Sequence, residues 1–102
     1  MKRNIKSNIE IKLDLNSVII RNGNVDDTDI DGEKVMMNIE RGQYYSMNEP
    51  AGVIWDMAEK EIAVEDIVNK LLEEYEVEKD ICISSTLSFL ERLYYEGLIK
   101  TA

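Results

Sequence analysis

The chain has 102 residues, enough for one domain with one core, and its 44% hydrophobic and 32% charged content is that of a folded globular protein. Twenty-one acidic against 12 basic residues leave a net charge of −9, which repels nucleic-acid phosphates and anionic membrane surfaces. There is no His and a single Cys, Cys82, which excludes Cys/His zinc sites, His-based catalysis and an internal disulfide.

Lys2, Arg3 and Lys6 give a basic start, but no continuous apolar run follows, so the N-terminus is not a signal peptide. No apolar stretch reaches transmembrane length, and the lone Cys fits a reducing compartment. A cytoplasmic location is the expectation.

The first elements are strands. Ile9, Ile11, Leu13 and Leu15 alternate with polar residues, the period of a half-buried strand, so residues 1–16 read as an N-terminal extension holding an extra strand. Val18, Ile19 and Ile20 form a β-branched run at the start of the main domain, residues 17–102. Asn22-Gly23-Asn24 has turn chemistry, and the Asp26-Asp27 pair makes any strand over Val25–Ile30 a solvated one. Asp31-Gly32 is the strongest hairpin signal, because both central residues of a type I′ turn need positive φ. The returning strand, Glu33–Ile39, places Val35, Met37 and Ile39 on one face. A turn at Glu40-Arg41-Gly42 leads into Gln43–Met47, where Tyr45 and Met47 share one face and Tyr44 and Ser46 the other.

Helical periods follow. Asn48 is a strong N-cap, with Glu49 at the positive end of the helix dipole and Pro50 in the first turn. Ala51, Ile54, Trp55 and Ala58 then share a face that ends near Glu59. Val64, Ile67, Val68, Leu71, Leu72 and Tyr75 form the apolar stripe of a second helix. The third helix, Asp80–Glu96, carries Cys82, Thr86, Phe89, Leu90 and Leu93 on a central stripe, with Ile83, Leu87 and Tyr94 beside it. Gly97 suits the position after its end, and Leu98-Ile99 add a short strand or cap contact. Strands first and three helices after them predict an α+β domain of winged helix-turn-helix type.

The broad stripe of the last helix has two readings. Ile83, Leu87 and Tyr94 either meet the sheet and the first helix, or line a groove beside the Gln43–Met47 strand. An edge strand beside a spare apolar helix face is a slot for an extended peptide. Trp55 and Cys82 read as core, since no base exists to activate the thiol. The acidic residues Asp26, Asp27, Asp29, Asp31 and Glu33 lack the spacing of a calcium loop and read as solvated turn carboxylates. A DNA-binding winged helix is the rival class, yet the third helix offers Arg92 alone as a basic residue beyond its first turn. No catalytic or metal-ligating set and no cofactor motif is present in the residues, so a non-enzymatic adaptor is expected.

Asp31-Gly32-Glu33-Lys34-Val35-Met36-Met37, Gly42-Gln43-Tyr44-Tyr45-Ser46-Met47-Asn48 and Ile54-Trp55, followed by Tyr75-Glu76-Val77 and Phe89-Leu90-Glu91-Arg92-Leu93 into Glu96-Gly97-Leu98-Ile99, occur in a distinctive order. In these pieces the chain resembles the PqqD-like family of RiPP recognition elements, most of all the stand-alone members of lasso-peptide clusters. The resemblance implies binding of a precursor leader peptide as an added antiparallel strand. The implied contacts are Gln43, Tyr44, Tyr45 and Ser46 on the strand and Ile83, Leu87, Leu90 and Tyr94 on the helix. It also implies presentation of the leader to a leader peptidase of transglutaminase-like cysteine-protease type or to a radical SAM maturase. No cofactor, nucleic acid or membrane is implied, and the open edge leaves room for a homodimer.

Overall fold

The computed structural model describes residues 12–23 and 25–102, so Ile9, Ile11, the basic start and Asn24 lie outside the described residues. The elements run β1 (Val18–Arg21), β2 (Val25–Ile30), β3 (Glu33–Asn38), β4 (Gln43–Met47), α1 (Glu49–Met57), β5 (Ile62–Ala63), α2 (Val64–Glu74), α3 (Lys79–Tyr95) and β6 (Ile99–Thr101). They form two small antiparallel sheets, ordered β2-β3-β4 and β5-β1-β6, and the three helices follow the first four strands, an α+β architecture.

The β2-β3-β4 meander follows from its turns. Asp31 and Gly32 both adopt positive φ, 53° and 83°, as a type I′ turn demands, and they set Ile30 opposite Glu33. Strand β2 is solvated along nearly its whole length. In β3 the buried side chains are Met36 and Asn38, while Val35 and Met37 are half-buried and Ile39 sits exposed in the following turn. The inward parity is held by Asn38, which is 4% exposed. Its Oδ1 accepts from the Arg41 N–H at 3.2 Å, and its Nδ2 donates to the Glu96 carbonyl at 3.5 Å, tying the β3–β4 turn to the end of α3.

The second sheet collects distant pieces of chain. Ile19 lies opposite Ile62 on one side and Thr101 on the other. Residues 12–17, where alternation predicts a strand as far as Leu15, form a turn instead. Asp14 Oδ1 accepts from the Asn16 N–H at 2.9 Å and the Ser17 N–H donates to the Asp14 carbonyl at 3.0 Å, a local closure that competes with strand pairing. That turn has a use. Helix α2 has no side-chain cap, and the N–H groups of Val64 and Glu65 donate to the carbonyls of Ser17 and Leu15 at 2.9 and 3.0 Å.

The other helix ends follow local chemistry. The Asn48 side chain accepts from the Ala51 N–H at 3.0 Å and starts α1. Helix α3 stops at Gly97, φ 80°, where the Leu98 N–H reaches the Leu93 carbonyl and the Gly97 N–H reaches that of Tyr94. This stop turns the chain back so that Leu98 enters the core and β6 joins β1. Ile19, Met36, Trp55, Val64, Ile67, Leu90 and Leu98, drawn from both sheets and all three helices or their ends, make the innermost layer.

Candidate functional site: an open sheet edge and an apolar cleft

Strand β4 closes the meander on one side. Its inner edge pairs with β3 from Asn38↔Gln43 to Lys34↔Met47, and among the described residues no strand pairs with its outer edge. The sequence Gln-Tyr-Tyr-Ser-Met carries no charge and no Pro, the usual devices that keep an exposed edge from recruiting another chain. Along it Tyr45 and Met47 turn inward, whereas Tyr44 is 71% exposed and Ser46 faces out.

The two ends of β4 differ in chemistry. At the Gln43 end the Tyr45 hydroxyl lies 2.7 Å from Gln43 Oε1 and 3.0 Å from Glu96 Oε1, and its single proton is donated to one of them at a time. Arg41 approaches Glu96 at 3.9 Å. Burial, and then the Glu96 carboxylate, push the Tyr45 phenol above its ordinary pKa, so it stays a neutral donor.

At the Met47 end lies a cleft of about 450 Å³. Its lining comes from Ser46, Met47 and Asn48 at the end of β4, Pro50, Ala51 and Ile54 of α1, Leu71 and Tyr75 at the end of α2, and Val77 beyond it. Helix α3 contributes Ile81, Cys82, Ser85, Thr86 and Phe89. That spacing is one face of a helix. Most of the lining is apolar, and two rim residues, Val77 and Ile81, are exposed at 38% and 52%. The Tyr75 hydroxyl is buried near the Glu49 carboxylate, with which it makes no well-formed hydrogen bond. Cys82 is buried as a free thiol. Among the described residues no three acidic or Cys side chains gather to hold a metal, and no helix is long and apolar enough to cross a membrane.

The expected contact residues fall into two groups. Gln43, Tyr44, Tyr45 and Ser46 all lie on the edge strand. On α3, Leu90 is fully buried, and Ile83, Leu87 and Tyr94 are half-buried against the core outside the cleft lining. The face that lines the cleft is a different one, about 140° away around the helix. Ile81, Phe89, Tyr75 and Val77 line the cleft and are not among the contacts expected from the sequence. A usable signal was present, because the Ile81–Phe89 face mixes apolar groups with Ser85 and Thr86, a composition suited to a wall that contacts both core and solvent.

Comparison with known proteins places this geometry. No curated protein matches the chain. Among solved structures, one described as "TbiB1 in Complex with the TbiA(beta) Leader Peptide" aligns with a TM-score of 0.72 and 25% identity, covering 79% of this chain and 94% of that one. A second, "Lasso peptide synthetase B1 complexed with the leader peptide", shares the fold at a TM-score of 0.67 and 18% identity, covering 80% and 96%. The family model for coenzyme PQQ synthesis protein D (PqqD) matches residues 33–99, from the start of β3 to the start of β6. With the meander's edge, all three helices and the cleft between them inside that match, the chain belongs to the PqqD family.

Proposed function

We propose that this protein binds the leader peptide of a ribosomally made precursor, of lasso-peptide type, by adding it as an antiparallel strand to β4. The observation that carries this reading is the uncharged edge of β4, unpaired among the described residues, running directly into the apolar cleft. Main-chain pairing supplies affinity without demanding a particular sequence, and the cleft supplies a place for one or two anchoring side chains. TbiB1, the more similar of the two matched structures, was solved with a leader peptide bound.

Antiparallel pairing fixes the direction of the ligand. Its N-terminal part lies over the cleft at Met47, and its C-terminal part leaves past Gln43 and the Ile39–Gly42 turn. The segment to be cut or modified therefore emerges at the polar end, where a leader peptidase of transglutaminase-like type, or a radical SAM maturase, takes it. The protein acts as an adaptor in the cytoplasm and performs no chemistry itself. Gln43, Tyr44, Tyr45 and Ser46 supply the backbone edge, and Ile81 and Phe89 supply the helix wall. Ile83, Leu87, Leu90 and Tyr94 hold α3 against the core. In the absence of leader, the same edge is available to a second copy of the chain.

A leader peptide encoded beside this chain's gene, labelled with a fluorophore and titrated by anisotropy, tests the proposal. N-methylation of the alternate backbone amides that face β4 abolishes binding, and the same modification on the other alternate set does not. Equal binding by both modified peptides, or none by the unmodified one, would falsify strand addition.

A further inference from the structure

We infer that the outward face of the β2-β3-β4 sheet is where the processing enzyme docks on the peptide-loaded adaptor, and that the enzyme meets it with an apolar patch ringed by Lys and Arg. The inference rests on the leader-binding reading and adds the surface by which the bound peptide is handed on.

Side chains directly opposite one another in an antiparallel sheet share a face. Met36 and Asn38 point into the molecule, so Val35 and Met37 point out of it. Val35 lies between Thr28 and Ser46, and Met37 between Asp26 and Tyr44. Ile30 ends β2 on the same side, opposite Glu33, and Ile39 follows the end of β3. Val35 and Met37 are half-buried, yet neither belongs to the core or to the apolar side chains packed on it. What covers them is the sheet itself. Ile30, Ile39 and Tyr44 are 53%, 58% and 71% exposed, half of the six large apolar side chains exposed among the described residues. The solvent face of an antiparallel sheet is ordinarily polar, and an apolar patch with a polar rim marks a protein-binding surface.

Charge selects the occupant. The Val25–Met47 segment has two cations, and both are engaged away from this face, Lys34 with Asp56 at 3.0 Å and Arg41 with Glu96 at 3.9 Å. Asp26 and Glu33 stand in the rows of Met37 and Ile30, with Asp31 at the hairpin tip. A second copy would set these carboxylates against its own, on a chain already at −9, whereas a partner with a basic rim gains from them. Position favours the enzyme. A strand added to β4 widens this face, placing alternate peptide side chains beside Tyr44 and Ser46. Tyr44 and Ile39 flank the end of β4 past which the peptide leaves.

The test measures, by biolayer interferometry, association of the adaptor–leader complex with the processing enzyme encoded beside this chain's gene, inactivated at its catalytic residue. Ile30→Asp and Met37→Asp are each expected to weaken it at least about tenfold, while leader affinity stays within about twofold. Glu33→Lys is expected to weaken it more at low salt than at high salt. Ile30 is exposed and lies outside both the edge strand and the cleft, so Ile30→Asp decides the case even where Met37→Asp lowers the melting temperature. Enzyme association unchanged in Ile30→Asp, or absent in the wild type while leader still binds, overturns the inference and leaves leader binding standing. So does a wild-type dimer in sedimentation that Ile30→Asp dissociates, which assigns the face to a second copy. If no leader binds the wild type, the adaptor reading falls and this inference with it.

Discussion

Trp55 is wholly buried, yet its indole N–H reaches the edge of the molecule, donating to Asp27 Oδ2 at 2.8 Å. Arg21 completes the arrangement. Its guanidinium lies 4.8 Å from the Trp55 ring centroid, its Nε donates to the Trp55 carbonyl at 2.9 Å, and it pairs with Asp27 at 3.4 Å and Asp56 at 3.5 Å. Four residues from β1, β2 and α1 thus join both sheets to the first helix. The ion pairs are partly exposed and contribute little. The indole N–H is different, because removing its acceptor strands a buried donor. Asp27→Ala is expected to cost about 1–3 kcal/mol in urea denaturation. A loss below about 0.5 kcal/mol would mean that water replaces the carboxylate. The sequence reading placed Asp27 among solvated turn carboxylates, since nothing local to Asp26-Asp27 points to a tryptophan 28 positions later.

Helix ends and turns were legible at the scale of the element because their causes are local. Asn48, Asp31-Gly32 and Gly97 each act through their own dihedrals or a bond to a near neighbour, and each stands where the sequence places it. The sheet β5-β1-β6 was less so, as it is built from strands of two to four residues whose partners lie some 40 to 80 positions apart. Strand β4 was readable from alternation and its two flanking turns, but the face of α3 that lines the cleft was not. Apolar residues occupy both flanks of its central stripe, and only the packing of α2 against α3 shows which flank opens on the cleft. A substitution pair separates the flanks. Ile81→Asp, at an exposed rim position, is expected to weaken leader binding at least tenfold with little change in melting temperature. Leu87→Asp, packed against the core, is expected to lower the melting temperature markedly. If Ile81→Asp binds leader as the wild type does, the peptide does not reach this wall of the cleft.

For the molecule as a whole, the −9 charge is carried by a chain whose resolved pKa shifts all point the same way. Lys34 is raised by its hydrogen bond to Asp56, at 3.0 Å, against a smaller opposing effect of burial. Tyr45 and Tyr75 are raised by burial first and by Glu96 and Glu49 second. A group whose pKa is higher in the folded state binds its proton more tightly there. Its contribution to stability is complete below the unfolded-state pKa and is lost as pH rises through the folded-state value. For two tyrosines and a lysine that window opens at about pH 10, so stability measured by urea denaturation is expected to fall as pH rises beyond that point. Deprotonation also adds negative charge to a protein already at −9, which reinforces the decline. Tyr45→Phe removes one of the three groups and is expected to make the alkaline decline shallower. A slope identical to that of the wild type would show that the Tyr45 hydroxyl is free to reach solvent, and that the polar end of β4 is looser than its contacts with Gln43 and Glu96 imply.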